Sequence, residues 1–207
     1  MTVPLPPLPP LGGDGAFWEP AGRSVIDVLD GEHRRMAALC AWLLRTRTPG
    51  RRREVADVVT ATVVRHLSAE EQYLYPAVRA VLPDGDALAD REIAEDRVVF
   101  AMLRELGGTP PTTPTFDRLA ARLADHLERH ARVGGDDLLG RLRGAASDEE
   151  LVRLGNRVQV AQEAAPTRPH PNTPATPPWN KLVDPALGLL DKARDAVARR
   201  STYPRDL

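Results

Sequence analysis

The stretch VRHLSAEEQYLYP, residues 64–76, places an imidazole and a carboxylate where an amphipathic helix is expected to be apolar. Apolar residues recur at helical spacing from Val55 to Val81, and His66 and Glu70 fall within that series. Their separation of four residues puts both side chains on one side of the helix, about one turn apart. Burying such groups without partners is costly, so the stretch predicts a group in the core that binds them.

Three other amphipathic runs carry polar residues of the same kind near their middles. The run that follows Ser24, a predicted N-cap, contains His33, and the run that ends at Gly107 and Gly108 contains Glu92 and Asp96. The last run contains His130. In a four-helix bundle, inward residues at similar heights converge on one point, which is how bundles build metal and cofactor sites.

The four runs, with turns between them and no strand pattern, predict an all-α fold, an antiparallel up-down-up-down four-helix bundle. We expect the bundle to occupy residues 23–145, after a proline-rich extended lead-in at residues 1–22. Within the second run, Pro76 is expected to kink the helix and Pro83 to help end it.

Residues 146–207 are predicted to form a C-terminal extension of three parts. Ser147 and Glu150 have the spacing of a capping box and begin a helix. A proline-rich segment follows. Asp184 and Pro185 then resemble an N-cap and first helical residue, which predicts a short amphipathic helix.

Composition excludes several functional classes. The net charge of −1 over 207 residues, with both signs interleaved, disfavours nucleic-acid binding. Cys40 is the single cysteine, so an internal disulfide is excluded and a reducing compartment is indicated. Without a signal-peptide pattern or an apolar run of membrane-spanning length, the protein is predicted to be cytoplasmic with no membrane partner.

The polar core residues admit more than one interpretation. A single histidine such as His33 or His130 is typical of a core imidazole bonded to a backbone carbonyl. His66 with Glu70 is also typical of an ordinary helical pair, and the acids of the third run would face solvent if that helix were slightly rotated. Their combination across four helices favours a cation, and imidazole with carboxylate favours iron, manganese or zinc over calcium or magnesium.

These residues give the sequence a resemblance to haemerythrin-like proteins of the HHE cation-binding class. The matching stretches are SVIDVLDGEHRRM with His33, RHLSAEEQYLYPAV with His66 and Glu70, PDGDALADREIAEDRVV with Asp96, and HARVGGDDLLGRL with His130. The tail APTRPHPNTP resembles the C-terminal extension of actinobacterial members.

The resemblance implies a four-helix bundle around a non-haem iron centre, usually two irons bridged by carboxylates. Asp96 stands where the family normally has a histidine, and Gly134 and Gly135 replace an acidic pair, although Asp136 would reach inward if the glycines distort the helix. The resemblance therefore implies a partly degenerate site holding one or two irons, with zinc or no metal as alternatives. The expected metal ligands are His33, His66, Glu70, Asp96 and His130.

Two functional hypotheses follow. The first is a metal-binding protein whose iron coordinates oxygen, peroxide or nitric oxide. Carriage or sensing is favoured over turnover of an organic substrate, because the sequence has no nucleophile with a neighbouring base and no phosphate-binding loop. The second is a metal-free helical scaffold that engages a protein partner through its tails. Membrane-surface docking by the last helix is a weaker alternative.

Overall fold

The computed structural model describes the backbone of residues 21–170, 179–198 and 200–207, and their side chains except at residues 135–136 and 179–186. The predicted lead-in falls almost wholly outside the described residues, as does part of the proline-rich segment. The described helices are α1 (Val25–Arg45), α2 (Pro49–Ala69), α3 (Tyr75–Val81), α4 (Gly85–Gly108), α5 (Pro114–Arg132), α6 (Gly140–Ala145), α7 (Asp148–Ala164) and α8 (Trp179–Ala198).

Two π-helical turns join these helices into the four rods of a bundle. Glu70–Leu74 connects α2 to α3, and Val133–Leu139 connects α5 to α6. With α1 and α4 these composite helices form a closed ring, in which α1 contacts α2 and α5 while α4 contacts α3 and α5. Short connections make consecutive rods antiparallel. The prediction of an all-α bundle is confirmed.

Local sequence signals start these helices where capping rules predict. The backbone N–H of Asp27 donates to Ser24 Oγ at 3.2 Å. At α7 the Ser147 and Glu150 capping box is complete, with the Glu150 carboxylate accepting from the Ser147 backbone at 2.8 Å. Such caps satisfy backbone donors that have no partner within the helix.

The two π turns coincide with irregularities in the sequence. Pro76 has no backbone N–H, so the preceding turn loses an α-helical hydrogen bond, and the chain widens at Glu70–Leu74 rather than continuing as regular helix. The second turn contains Gly134, in a segment where glycine weakens the helical preference. The second run ends at Val81, before Pro83 as predicted.

The core consists of two apolar clusters. One lies toward the α1–α2 connection and the other toward the α3–α4 connection. On α1, His33 separates Leu29 of the second cluster from Met36 of the first. On α4, Asp96 separates Ile93 from Val99 in the same way. Polar residues such as His33 and Asp96 therefore form a belt between the two apolar clusters, which we call the polar belt. Water has little access to it.

The C-terminal extension packs against one side of the bundle. Helix α7 contacts α1, α2 and the first π turn. At Gly155 the approach to the start of α1 is so close that a Cβ atom would lie 2.2 Å from the carbonyl oxygen of Arg23. Helix α8 packs in turn on the end of α7 at Gly188.

The prediction that α8 begins at Asp184 and Pro185 is wrong. The helix begins at Trp179, because residues 179–184 contain neither proline nor glycine and extend the helical segment toward the N-terminus. Pro185 lies within the helix and removes one backbone donor without ending it.

A set of buried and half-buried polar residues holds the extension together and attaches it to α2. Asp195 forms ion pairs with Arg168 at 2.6 Å and Arg200 at 3.3 Å, and Arg200 continues to Asp57 on α2 at 3.2 Å. We call this set the clasp; it comprises Thr167, Arg168, His170, Asp191, Asp195 and Arg200.

None of the helices in the described part of the chain combines the length and the apolar character that a membrane span requires.

Candidate metal centre

His33 enters the polar belt from the middle of α1 and is 7% exposed. Its Nε2 atom is buried and has no hydrogen-bond partner. Burial, reinforced by the neighbouring charge of His66, lowers the pKa of His33 to about 3. The imidazole is therefore neutral near pH 7, which is the form that binds metals.

His66 and Glu70 come from the second rod. His66 Nε2 lies 3.4 Å from Glu70 Oε1, and the two residues are 1% and 3% exposed. Glu70 opens the π turn that precedes Pro76. Burial alone would raise the pKa of Glu70, but the charges of His66 and His130 outweigh it and hold the pKa at about 2.

His130 completes the group from the end of α5. Its Nε2 atom lies 3.3 Å from His66 Nε2 and 3.4 Å from Glu70 Oε2. Burial lowers the pKa of His66 and His130, but the carboxylate of Glu70 outweighs that effect and raises both. The rings of His33, His66 and His130 meet edge to face, with centroids 4.8 to 5.5 Å apart.

The geometry of these four residues fits a metal ion. His33, His66, Glu70 and His130 each offer one ligand atom, and these atoms lie within 4.8 Å of one another. Zinc–nitrogen bonds of about 2.0–2.1 Å in a tetrahedral arrangement would separate neighbouring ligand atoms by about 3.3 Å. The His66 Nε2–His130 Nε2 distance of 3.3 Å has this size, and each of these nitrogens lies 3.4 Å from a different oxygen of Glu70. The orphaned Nε2 of His33 supplies a fourth ligand atom without breaking any existing bond.

Asp96, the fifth predicted ligand, is fully buried but lies beside this group rather than within it. The Tyr75 hydroxyl lies 3.0 Å from Asp96 Oδ2 and 3.3 Å from Glu70 Oε2, so it connects the two carboxyl groups. Burial and the nearby charge of Glu70 raise the pKa of Asp96 despite the opposing effect of His130. The structure thus brings four predicted residues together and links the fifth to them through Tyr75.

A cavity of about 10 Å³ borders the group, with room for about one water molecule. It is lined by His33, Glu70, Leu74, Tyr75, Glu92, His130, Gly134, Leu138 and Leu139. A Cβ atom at Gly134 would meet nothing within 4 Å, so this position leaves space where the resemblance would place an acid. Asp136, the predicted substitute, has a side chain outside those described.

Sequence reasoning missed Glu32, which contacts the group, and Gln162, which contacts Glu32. Glu32 Oε2 accepts a hydrogen bond from His66 Nδ1 at 2.8 Å, and Gln162 Nε2 donates to the same oxygen at 2.5 Å. Glu32 precedes His33 in the chain, and its spacing put it off the apolar stripe. Gln162 lies in the extension, and no local pattern pointed to it.

His126, one turn before His130, provides a useful contrast. Its Nε2 atom lies 2.9 Å from a carboxylate oxygen of Glu95, and it does not belong to the convergent group. Its place is within α5, close to the last turn.

Comparison with known proteins agrees with this geometry. The model of the Hemerythrin HHE cation binding domain matches residues 24–142, which is more than half of the chain. The chain belongs to the haemerythrin family. The match ends before α7, so the C-terminal extension of this haemerythrin-like chain lies outside the family domain.

Two relatives are distant. An uncharacterized hemerythrin-like protein of Schizosaccharomyces pombe is 23% identical over 138 residues, which cover 66% of this chain and 68% of that protein. A protein of Nostoc named DNA nickase is 25% identical over 141 residues, 67% of this chain, and the match spans 39% of that longer protein. No solved structure matches the chain significantly.

Proposed function

We propose that this haemerythrin-like chain binds one non-haem iron ion through His33, His66, Glu70 and His130. The observation that carries the proposal is the convergence of their ligand atoms within 4.8 Å in a buried belt. Three imidazoles and one carboxylate form a donor set suited to iron or zinc. When bound, iron supplies open coordination positions for a small ligand, and we propose oxygen, peroxide or nitric oxide as that ligand.

The residues of the chain contribute in distinct ways. His33 stays neutral and keeps a nitrogen lone pair available, because its pKa is lowered to about 3. The carboxylate of Glu70 stays ionised, because its pKa is held at about 2. The two apolar clusters exclude water from the belt. A metal ion competes with protons for His66 and His130, whose pKa values the Glu70 carboxylate raises, so affinity is expected to fall with acidification.

Binding of a small molecule fits the site better than turnover of an organic substrate. The cavity beside the group has a volume of about 10 Å³, room for about one water molecule, so it fits a ligand of very few atoms better than an organic substrate. Cys40 is buried and free, and its pKa is raised to about 12 by burial, so it provides no reactive thiol. A reducing compartment such as the cytoplasm is the proposed location.

Metal content of purified variants tests the proposal. We expect close to one iron per chain after anaerobic loading with ferrous iron and removal of excess, measured by elemental analysis. His66→Ala is expected to lose the iron. His126→Ala is the matched control, since it removes another histidine of the same protein that lies outside the group.

Two results would overturn the proposal. Iron retained at full occupancy in His66→Ala would place the ion elsewhere. Wild-type protein that holds no iron, and whose melting temperature does not change on addition of ferrous iron or zinc, would support the metal-free scaffold, because an ion that binds only the native state must raise stability.

For the small ligand, addition of nitric oxide to the ferrous protein is expected to produce a new electron paramagnetic resonance signal that His66→Ala lacks.

A further inference from the structure

The carboxylate of Glu32 connects the metal centre to the C-terminal extension. Its Oε2 atom accepts from His66 Nδ1 at 2.8 Å and from Gln162 Nε2 at 2.5 Å. The Glu32 side chain is 17% exposed, so water competes little for these contacts. One oxygen therefore joins α1, the second rod and α7.

The bond to Glu32 determines which nitrogen of His66 is available. A carboxylate only accepts, so it requires the proton to be on Nδ1. The lone pair of the neutral ring is then on Nε2, which is the atom that lies 3.3 Å from His130 Nε2 and 3.4 Å from Glu70 Oε1. Groups that bind the outer nitrogen of a ligating histidine fix its tautomer and ring orientation in this way.

Gln162 is held in position by the packing of α7. Leu154, Val158 and Ala161 are buried against the bundle, and Gly155 allows α7 to approach the start of α1 closely. Gly155 and Gln162 are seven residues apart and so lie on the same side of the helix. The amide therefore reaches Glu32 from a fixed backbone.

Glu32 needs such a donor. Its side chain has three rotatable bonds, and ordering a glutamate side chain costs conformational entropy. The His66 bond engages one oxygen from one side, and the Gln162 amide engages the same oxygen from another, so the pair restricts the carboxylate more than either donor alone. An apolar residue at position 162 would leave Glu32 free to turn toward solvent.

We infer that Gln162 is a positioning residue of the metal centre: it orients Glu32, which orients His66 with Nε2 as the ligand atom. The extension that lies outside the family domain thereby takes part in metal binding. Its effect on affinity depends on the proposed function, whereas its effect on the His66 tautomer does not.

The Gln162→Glu variant tests the inference at constant shape. It replaces the amide donor by a second carboxylate, which repels Glu32 and turns it away from His66. Loss of a group bound to a ligating histidine typically weakens metal binding about 10- to 100-fold, and a residue one step further out is expected to weaken it about 3- to 10-fold. Gln159→Glu is the matched control, because it makes the same change at an exposed position of α7.

Cobalt(II) is the probe, since its visible spectrum reports ligand geometry as well as occupancy. We expect Gln162→Glu to weaken cobalt binding and to change the spectrum of the loaded protein, while Gln159→Glu matches wild type. A double-mutant cycle with Glu32→Gln then tests the route. If Gln162 acts through Glu32, Gln162→Glu has little further effect in the Glu32→Gln background; full additivity of the two losses would overturn the inference.

The tautomer of His66 separates this inference from the proposed function. Nitrogen-15 NMR of the metal-free protein, at a pH where the ring is neutral, is expected to show the Nδ1–H tautomer in wild type and in Gln159→Glu. In Gln162→Glu the Nε2–H tautomer is expected to become populated. An unchanged tautomer in Gln162→Glu overturns the inference even if metal binds, and a wild type that binds no cobalt overturns the proposed function while the tautomer result still stands.

Discussion

Among the described residues, two groups combine acids with histidine, and they differ in which of their polar atoms lack a hydrogen-bond partner. In the clasp, Asp191 Oδ2 accepts from the backbone of Thr167 at 3.1 Å and of Arg168 at 3.0 Å, and from His170 at 3.1 Å. Neither Asp191 nor Asp195, both described in the structure, has a buried oxygen without a partner; the buried clasp atom that lacks one is a donor, Arg168 Nε.

The second group, which we call the central group, consists of His33, His66, Glu70 and His130, and it has too few donors for its acceptors. His66 Nε2 and His130 Nε2 face each other at 3.3 Å, and His33 Nε2 has no hydrogen-bond partner. Its single carboxylate, Glu70, serves two histidines. Similar residue types thus give two outcomes. In the clasp, donors and cations outnumber what the carboxylates need, so the residues support the structure. In the central group, nitrogen lone pairs outnumber the donors, so the residues are suited to bind an ion. Among the described residues, only the central group has convergent ligand atoms.

The largest expected difference between the two groups is their response to metal. Free ferrous iron or zinc at about 1,000 times its dissociation constant is expected to stabilise wild type by about 4 kcal/mol. His130→Ala removes a ligand and is expected to abolish that gain, while clasp variants keep it. Thermal unfolding with and without metal, under anaerobic conditions for iron, measures the gain. The same gain in His130→Ala would show that the stabilising ion binds elsewhere.

A clasp variant is expected to lose stability without losing metal. Asp195→Ala leaves Arg200, whose side chain is 8% exposed, without its nearest buried carboxylate. Because Arg200 keeps its ion pair with Asp57, the expected cost is that of leaving buried polar groups unpaired, about 1–3 kcal/mol. Chemical denaturation measures the loss. Asp86→Ala, at an ion pair with an 86% exposed carboxylate, is the control and is expected to cost less than about 1 kcal/mol.

Acid is expected to act on the central group through His33. In the metal-free protein the pKa of His33 is about 3 when folded and 6.5 in the unfolded chain, so unfolding takes up a proton between these values. Stability contributed by the neutral ring is therefore present above pH 6.5 and is lost toward pH 3, by up to about 1.4 kcal/mol per pH unit.

The His33→Gln variant isolates this effect, because glutamine does not titrate. Denaturation of both metal-free proteins at several pH values between 4 and 7 is expected to show a steeper loss in wild type. Parallel curves would mean that His33 takes up a proton in the folded state as readily as in the unfolded chain, contrary to its burial.

The smallest expected effect concerns Asp96. Because burial keeps its pKa high and Tyr75 satisfies only one of its oxygens, Asp96→Asn should be tolerated. Loss of a residue bonded directly to a metal ligand typically weakens metal binding about tenfold, and we expect Asp96→Asn to weaken it by less. Cobalt titration measures it. Complete loss of binding would instead make Asp96 a ligand.

Much of this architecture could be predicted from the sequence. The bundle follows from four apolar stripes with turns between them, and the resemblance is confirmed by the family match to residues 24–142. The stripe positions of His33, His66 and His130 were enough to bring them to one height, because inward residues of neighbouring rods meet. Asp96 shares that height but contacts the group through the Tyr75 hydroxyl, a side-chain detail that periodicity does not contain.

The contribution of the extension could not be predicted. Glu32 lies beside the stripe of α1, and Gln162 lies 130 residues further along the chain, so their contact depends on how α7 docks. That docking is determined by close approach at Gly155, a long-range property. The sequence also predicts the wrong start for α8, because Asp184 and Pro185 are a strong start signal and the helix in fact begins five residues earlier, at Trp179.

The most direct test of the account is anomalous diffraction from crystals grown with ferrous iron. We expect one anomalous peak in the polar belt, at about 2.0–2.2 Å from a nitrogen of each of His33, His66 and His130 and from an oxygen of Glu70. A belt without a peak in iron-loaded crystals, or a peak bound by only one of these residues, would contradict it.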